Sequence, residues 1–193
     1  MGSRLAVYAG VEKVRVRGFK SLLDVELELK NGVNLLVGPN ASGKSNIIES
    51  LWFLRRALVE ASREVPYAPH LPRYASAEEL FFYRDVSRPI EYELWLKVYP
   101  VVGDTVYEHR LVYRVAFRFK PPGGLEPVMH SLELDGLKLE VTEEHLKVRV
   151  SKHLVEYVVK AGGIEKSKLG YVEELLEKAT VADGYYEFRV DVG

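Results

Sequence analysis

The chain has 193 residues, a formal net charge of −1 and no cysteine. This length suits one domain, or one domain with a sub-domain, and the balanced charge provides no global attraction to nucleic acid or to an anionic membrane. The lack of cysteine excludes disulfides, zinc thiolates and a cysteine nucleophile within these residues. No apolar run reaches the length of a membrane span and no secretory segment opens the chain. We therefore expect a cytoplasmic protein with no membrane partner.

The first predicted elements are two antiparallel strands. Residues 11–17 and 24–29 alternate between apolar and charged side chains, and the segment 18–21 interrupts the alternation. A period of two is typical of half-buried strands. The Asn-Gly pair at 31–32 predicts a tight turn, and the apolar run 33–37 that follows has the composition of a buried strand.

A phosphate-binding loop follows this run. Residues 38–45 read Gly-Pro-Asn-Ala-Ser-Gly-Lys-Ser and fit the pattern G-x-x-x-x-G-K-[ST]. Glycines let the backbone curl around an anion, and the helix that follows adds the positive end of its dipole. We expect Lys44 to reach the β- and γ-phosphates of ATP and the Ser45 hydroxyl to bind Mg²⁺. The predicted nucleotide-binding residues are Gly38, Pro39, Asn40, Ala41, Ser42, Gly43, Lys44, Ser45 and Asn46.

A helix from Lys44 to about Ala61 is predicted next, because its apolar residues recur at helical spacing. A strand, a glycine loop and a helix together form the context that this motif requires; the alternative is a glycine-rich turn that carries Lys-Ser by coincidence. Prolines at 66, 69 and 72 predict a loop. The run Ser-Ala-Glu-Glu at 76–79 predicts a capping box that opens a short helix, with the phenylalanines after it in the core.

The remainder of the chain has mainly the period of a β-sheet. Residues 154–160 fit a strand or a helix equally well. The other predicted elements are strands over 90–99 and 107–119, a hairpin with a type I′ turn at Asp135-Gly136, an extended run over 146–150, an amphipathic helix around 169–179 and a final strand over 185–192.

The opening of the chain resembles a known family. Arg-Gly-Phe-Lys-Ser at 17–21, the acidic–apolar alternation, Asn-Gly at 31–32 and Gly-Pro-Asn-Ala-Ser-Gly-Lys-Ser-Asn at 38–46 resemble the start of SMC-like and RecF-like ATPase heads, which are ABC-type ATPases. In such heads the amino-terminal half holds the P-loop and an antiparallel sheet, and two heads clamp ATP between them. The resemblance also implies that Lys20, with Ser21 beside it, approaches the nucleotide phosphates. A solvated turn lysine is the alternative.

Residues for ATP hydrolysis are not recognisable, and the catalytic residues are unknown. A Walker B site needs a buried strand that ends in Asp, usually with Glu beside it, to hold Mg²⁺ and activate water. The run 188–191 ends in Asp191, but Arg189 interrupts it, so we reject it. Neither a Leu-Ser-Gly-Gly signature nor any glutamine is present, and the histidines lack metal-ligand spacing. We expect ATPase activity only when another segment supplies these parts.

Three arginines in the second long strand form a possible nucleic-acid interface. Arg110, Arg114 and Arg118 are four residues apart and share one face of the strand. The aromatic residues of this strand lie on the opposite face, so no stacking platform accompanies the charges. We expect arginines paired with neighbouring carboxylates rather than a DNA-binding strip.

The predicted fold class is α/β with α+β character: a P-loop NTPase half-domain with a central strand–loop–helix unit and a large antiparallel β sub-domain. The whole chain, 1–193, is interpreted as one amino-terminal half of an ATPase head. Its predicted parts are a P-loop core (11–61), a proline-rich loop with a short helix (62–89), an antiparallel β sub-domain (90–160), and a helix with a closing strand (164–193).

The expected function is to bind ATP and Mg²⁺ and to drive ATP-dependent head dimerisation, in DNA maintenance, such as DNA repair, or in defence against foreign DNA. The expected partners are a second ATPase half or a carboxy-terminal remainder, another copy of the head, and DNA. Two alternatives stay open. One is a self-contained P-loop kinase or nucleotide switch, and the other is a β-rich interaction module with a vestigial P-loop.

Overall fold

A large antiparallel sheet with few helices dominates the molecule. The computed structural model describes residues 6–61, 76–102, 105–122, 124–142, 144–160, 174 and 176–191. The strands are β1 Ala6–Phe19, β2 Leu22–Glu28, β3 Ile90–Val102, β4 Thr105–Val106, β5 His109–Lys120, β6 Gly124–Leu134, β7 Leu137–Thr142, β8 His145–Ser151, β9 Thr180–Ala182 and β10 Tyr185–Asp191. The helices are α1 Lys44–Ala61 and α2 Lys152–Lys160, with two short 3-10 turns at Ala77–Leu80 and Phe82–Arg84.

These strands lie in the order β2-β1-β3-β5-β6-β7-β8-β10-β9, and β4 pairs with β3. The period-two pattern produces this sheet because it places apolar residues in register on one face. One such row runs from Leu94 through Tyr113, Leu132 and Leu139 to Val148. The hairpin between β6 and β7 has the predicted turn, since Asp135 and Gly136 have φ angles of 35° and 90° and type I′ needs both positive.

Helix α1 covers the apolar face of the sheet at β1, β3 and β5, and it begins and ends where the sequence predicts. Phe53 is its central contact, with its ring centroid 5.9 Å from Phe19 and 5.4 Å from Phe117. The buried Tyr92 hydroxyl donates a hydrogen bond of 3.1 Å to the carbonyl oxygen of Ser50. The helix that carries the end of the P-loop is therefore fixed by both packing and a buried hydrogen bond.

The segment 76–89 closes against the turn between β1 and β2. Gly18 has φ +72°, and a Cβ there would lie 2.7 Å from the carbonyl oxygen of Pro89, so the close approach requires glycine. The Lys20 N–H donates a 2.8 Å hydrogen bond to the Leu80 carbonyl oxygen, and Phe19 forms a bridge with Phe81. Phe81 is buried, as predicted for the core, whereas Phe82 is only partly buried.

The predicted strand before the P-loop is wrong. Residues 33–37 have no strand structure, and the side chains of Val33 and Val37 are 97% and 82% exposed. A strand needs neighbours for its N–H and C=O groups, and no strand of the described part of the chain pairs with this segment. The central strand–loop–helix unit therefore consists here of its loop and its helix, and the mixed α/β character is less than predicted.

Two smaller predictions also need correction or completion. Ser76 makes no side-chain capping bond, and the predicted short helix is only the Ala77–Leu80 turn, because Phe81 is extended with φ −82° and ψ 148°. The ambiguous residues 154–160 are helical, within α2. The predicted loop at 62–75 and most of the helix around 169–179 lie outside the described residues, and the division of the chain into sub-domains remains a prediction.

Candidate nucleotide-binding site

The P-loop bends sharply and runs directly into helix α1. Ala41 and Gly43 have φ angles of 62° and 91°, which turn the backbone twice in three residues. The Ile47 N–H donates a 3.0 Å hydrogen bond to the Gly43 carbonyl oxygen and so starts the helix. The first N–H groups of a helix have no partner within it, so this end of α1 offers donors and a positive dipole to an anion. The loop and helix that the motif predicts are both present.

Lys44 holds its ammonium group against the loop. Its Nζ donates to the carbonyl oxygens of Gly38, at 2.8 Å, and Pro39, and it lies 3.2 Å from Ser42 Oγ. These three oxygens belong to residues that the motif assigns to phosphate binding. A bound phosphate oxygen would compete with them for the same ammonium protons, and it would carry the full charge that the carbonyls lack.

The turn between β1 and β2 packs against the P-loop. The Asn46 side-chain amide donates a 2.7 Å hydrogen bond to Ser21 Oγ. A Cβ at Gly43 would lie 3.3 Å from that oxygen and 3.4 Å from Leu22 Cδ2, so the absence of a side chain lets the turn approach the loop. The structure therefore brings Ser21 together with the motif residues.

Lys20 lies in the same turn and reaches helix α1. Its Nζ contacts Glu49 Oε2 at 2.6 Å, and both side chains are partly buried. Lys20 also has a left-handed backbone with φ 50°, which is uncommon for a residue other than glycine. Sequence reasoning missed Glu49. The available signal was its position one helical turn after Ser45, on the same face of α1 as the end of the motif.

Ser45 is the one predicted metal ligand, and it is exposed near the start of α1. Its hydroxyl fits Mg²⁺, which prefers oxygen ligands and keeps several waters beside the substrate phosphates. Within the described ranges, no group of three or more His, Asp or Glu side chains could hold a metal ion. Asp191 ends β10, which lies six places from β1 in the strand order.

Two of the three predicted arginines of β5, Arg114 and Arg118, are paired with carboxylates. Arg114 donates to Glu93 at 2.7 Å and to Glu133 at 3.4 Å, and Arg118 contacts Glu126 at 2.6 Å. Lys138 first, and Arg114 after it, hold the pKa of Glu133 below its usual value, so this carboxylate stays ionised. Hydrogen bonds from Lys120 and Arg118 lower the pKa of Glu126 in the same way. The predicted pairing is confirmed for Arg114 and Arg118.

Comparison with known proteins extends this picture. Residues 10–87 match the family model of the AAA ATPase domain. The chromosome partition protein Smc of Desulfitobacterium hafniense is 33% identical over 112 residues, which are 54% of this chain and 9% of that protein. The DNA double-strand break repair Rad50 ATPase of Methanopyrus kandleri is 37% identical over 41 residues, 21% of this chain and 5% of the relative. The DNA replication and repair protein RecF of Pediococcus pentosaceus is 36% identical over 44 residues, 23% of this chain and 12% of the relative.

The amino-terminal region resembles SMC-like and RecF-like ATPases. The match covers most of β1, all of β2, the P-loop, helix α1 and the short turns at Ala77–Leu80 and Phe82–Arg84. The chain spans from 5% to 12% of the length of these three relatives. In the part of the chain that the structure describes, no helix has the length and apolarity needed to cross a membrane.

Proposed function

We propose that this chain is the ATP-binding half of an SMC/RecF-like ABC-type ATPase head. The observation that carries the proposal is the P-loop itself, with positive φ at Ala41 and Gly43, with Lys44 held across it and with helix α1 starting at its end. The match of residues 10–87 to the AAA ATPase domain supports the same ligand.

A bound triphosphate would take the place of the carbonyl oxygens that hold Lys44. The Lys44 ammonium would contact the phosphates, the first N–H groups of α1 would donate to them, and the Ser45 hydroxyl would help to hold Mg²⁺, which would neutralise phosphate charge. Lys20 is close enough to α1, through its contact with Glu49, to add a second positive charge. These residues bind and orient the phosphates; none of them activates water.

Hydrolysis is proposed to need a second ATPase half or a carboxy-terminal remainder. The exposed apolar segment 33–37 supports this proposal, because it has the composition of a strand and lacks a partner among the described strands. Ile48 and Trp52 add exposed apolar surface on helix α1. A sheet completed by another segment would cover both. Head dimerisation with ATP, DNA as a partner, and a role in DNA maintenance or defence are proposed by analogy with the relatives.

The proposal is tested by thermal unfolding of the purified chain with and without Mg-ATP. Saturation at 100 times Kd is expected to add about 2.7 kcal/mol to the free energy of unfolding. Lys44→Ala removes the charge that holds the phosphates, so this gain should disappear. Lys30→Ala is the matched control, because Lys30 is an exposed lysine outside the loop, and it should keep the full gain.

Other outcomes identify the alternatives. No change in melting temperature with Mg-ATP in the wild-type chain would contradict the proposal and favour an interaction module with a vestigial P-loop. Phosphate release by the purified chain alone would favour a self-contained kinase or nucleotide switch, because it would show that the hydrolytic groups lie within these residues.

A further inference from the structure

A cleft of about 280 Å³ lies beside the phosphate-binding loop. Its lining combines residues of the β1–β2 turn, Lys20 and Ser21, with residues of the segment 76–89, namely Glu79, Phe81, Phe82, Tyr83 and Arg84. Ser21 belongs to both places, because its hydroxyl accepts the hydrogen bond from Asn46 of the loop region. The cleft is thus continuous with the P-loop through a residue that touches both, and no step described so far uses it.

Tyr83 presents an aromatic ring to solvent at this cleft. Its side chain is 87% exposed, and its ring meets that of Phe82 edge-on, with centroids 4.5 Å apart. Core packing of the side chain therefore does not explain a strained backbone at this position. Tyr83 and Arg84 nevertheless both have left-handed backbones, with φ angles of 51° and 59°. Two successive residues of this kind persist only where the surroundings fix them.

The surroundings do fix this turn. Phe81 is buried under it, and the Arg84 N–H donates a 3.0 Å hydrogen bond to the Phe81 carbonyl oxygen. Arg84 also contacts Glu79 across the turn at 3.4 Å. Tyr83 is therefore an exposed ring on an anchored turn, which is an arrangement suited to stacking against a flat ligand.

We propose that this cleft receives the nucleobase and ribose of the nucleotide whose phosphates the P-loop binds, with Tyr83 stacked on the base. The inference rests on the proposed function and adds a recognition residue to it. Every nucleobase offers a flat π-face, and a side chain that stacks on it strengthens binding with little dependence on base identity. Ser21 lines the cleft and is hydrogen-bonded to Asn46 beside the loop, so one ligand can extend from the loop into the cleft. The cleft is concave and combines aromatic with polar side chains, as small-molecule sites do.

Calorimetric titrations with ATP and with inorganic triphosphate separate the base from the phosphates. The wild-type chain should bind ATP more tightly than triphosphate. Tyr83→Ala should weaken ATP binding by about tenfold and leave triphosphate binding unchanged, because stacking is lost and the phosphate site is intact. Tyr83→Trp should keep the affinity for ATP. Tyr8→Ala removes another exposed tyrosine, from β1, and should change neither affinity.

Tyr83→Gly controls for the backbone, because glycine adopts a left-handed φ without strain and keeps the turn. It should lose ATP affinity as Tyr83→Ala does. Equal affinity of the wild-type chain for ATP and triphosphate would overturn this inference and leave the proposed phosphate site standing. Unchanged ATP affinity in Tyr83→Ala and in Tyr83→Gly would have the same consequence. An equal loss of affinity for ATP and for triphosphate in Tyr83→Ala and Tyr83→Gly would also overturn the inference. If the wild-type chain binds neither ligand, the proposed function fails as well.

Discussion

The expected role of Lys20 depends on whether its ammonium group contacts Glu49 or a bound triphosphate. Its ammonium contacts Glu49 at 2.6 Å, and the β1–β2 turn that carries it packs on the P-loop. A triphosphate would place several negative charges near this lysine, and a charge-assisted hydrogen bond to a phosphate is stronger than a neutral one. Glu49 then competes with the nucleotide for the same ammonium group.

Lys20→Ala should therefore lower the affinity for Mg-ATP, by about tenfold if one charge-assisted hydrogen bond worth about 1.5 kcal/mol is lost. Glu49→Gln is the informative partner variant, because it weakens the competing contact and should leave the affinity equal or higher. Isothermal titration calorimetry measures both. Unchanged affinity in Lys20→Ala would remove Lys20 from the site and leave it as a structural lysine of the turn.

The sequence predicts a candidate site most readily where the residues are contiguous. Residues 38–46 could be named because a phosphate-loop motif occupies adjacent positions, and their part in binding stays a prediction. Ser21 is named from resemblance, and the structure places it 2.7 Å from Asn46. Glu49 and Tyr83 could not be assigned in this way, because their roles depend on contacts between segments that are far apart in the chain. An exposed ring on a left-handed backbone also produces no periodic pattern in the sequence.

Among the elements, helix α1 links the core to the P-loop. Phe53 points inward and is 4% exposed, whereas its neighbour Trp52 is 59% exposed. The Phe53 ring contacts the rings of Phe19, Tyr92 and Phe117, which belong to three different strands. This one side chain therefore joins the P-loop helix to the centre of the sheet.

Phe53→Ala should destabilise the fold by about 3–5 kcal/mol, because it removes a buried ring and leaves a cavity among packed aromatics. Trp52→Ala, one position away, should change the free energy of unfolding far less, since most of its ring is already in water. Chemical denaturation monitored by circular dichroism measures both variants. A similar decrease in the free energy of unfolding for the two variants would show that α1 is not anchored by the face that carries Phe53.

The elements that the sequence predicts correctly are those with a clear local period. Strands β3 and β5 alternate apolar and polar residues along their length, and helix α1 has a continuous apolar stripe. The segment 33–37 fails for a different reason. Its composition favours a strand, but a strand forms only against a neighbour, and composition does not reveal whether that neighbour is present. The predicted capping role of Ser76 is wrong for a similar reason, because a capping box needs a helix longer than one turn.

For the molecule as a whole, the two faces of the sheet differ in character. One face is apolar and receives helix α1. The other carries ion pairs that link neighbouring strands, such as Arg15 with Asp24 and Lys147 with Glu187. The hydrogen bond from Arg15 holds the pKa of Asp24 below its usual value, so the pair stays charged at neutral pH. A DNA partner that used this face would have to displace carboxylates from the arginines.

The proposed nucleotide site lies at the end of the sheet formed by β2 and β1. The P-loop, the β1–β2 turn and the Tyr83 cleft all lie beside the first strands of the sheet order, and the exposed segment 33–37 leads directly into the P-loop. A segment that paired with 33–37, as the proposed function requires, would therefore lie beside the P-loop.

The most direct test of the central claim is hydrogen–deuterium exchange of the backbone amides with and without Mg-ATP. The account predicts slower exchange at residues 40–46, because their N–H groups would donate to phosphate oxygens, and no such protection in Lys44→Ala. Protection confined to other parts of the chain, or bound ATP with unchanged exchange at 40–46, would contradict the assignment of this loop as the phosphate site.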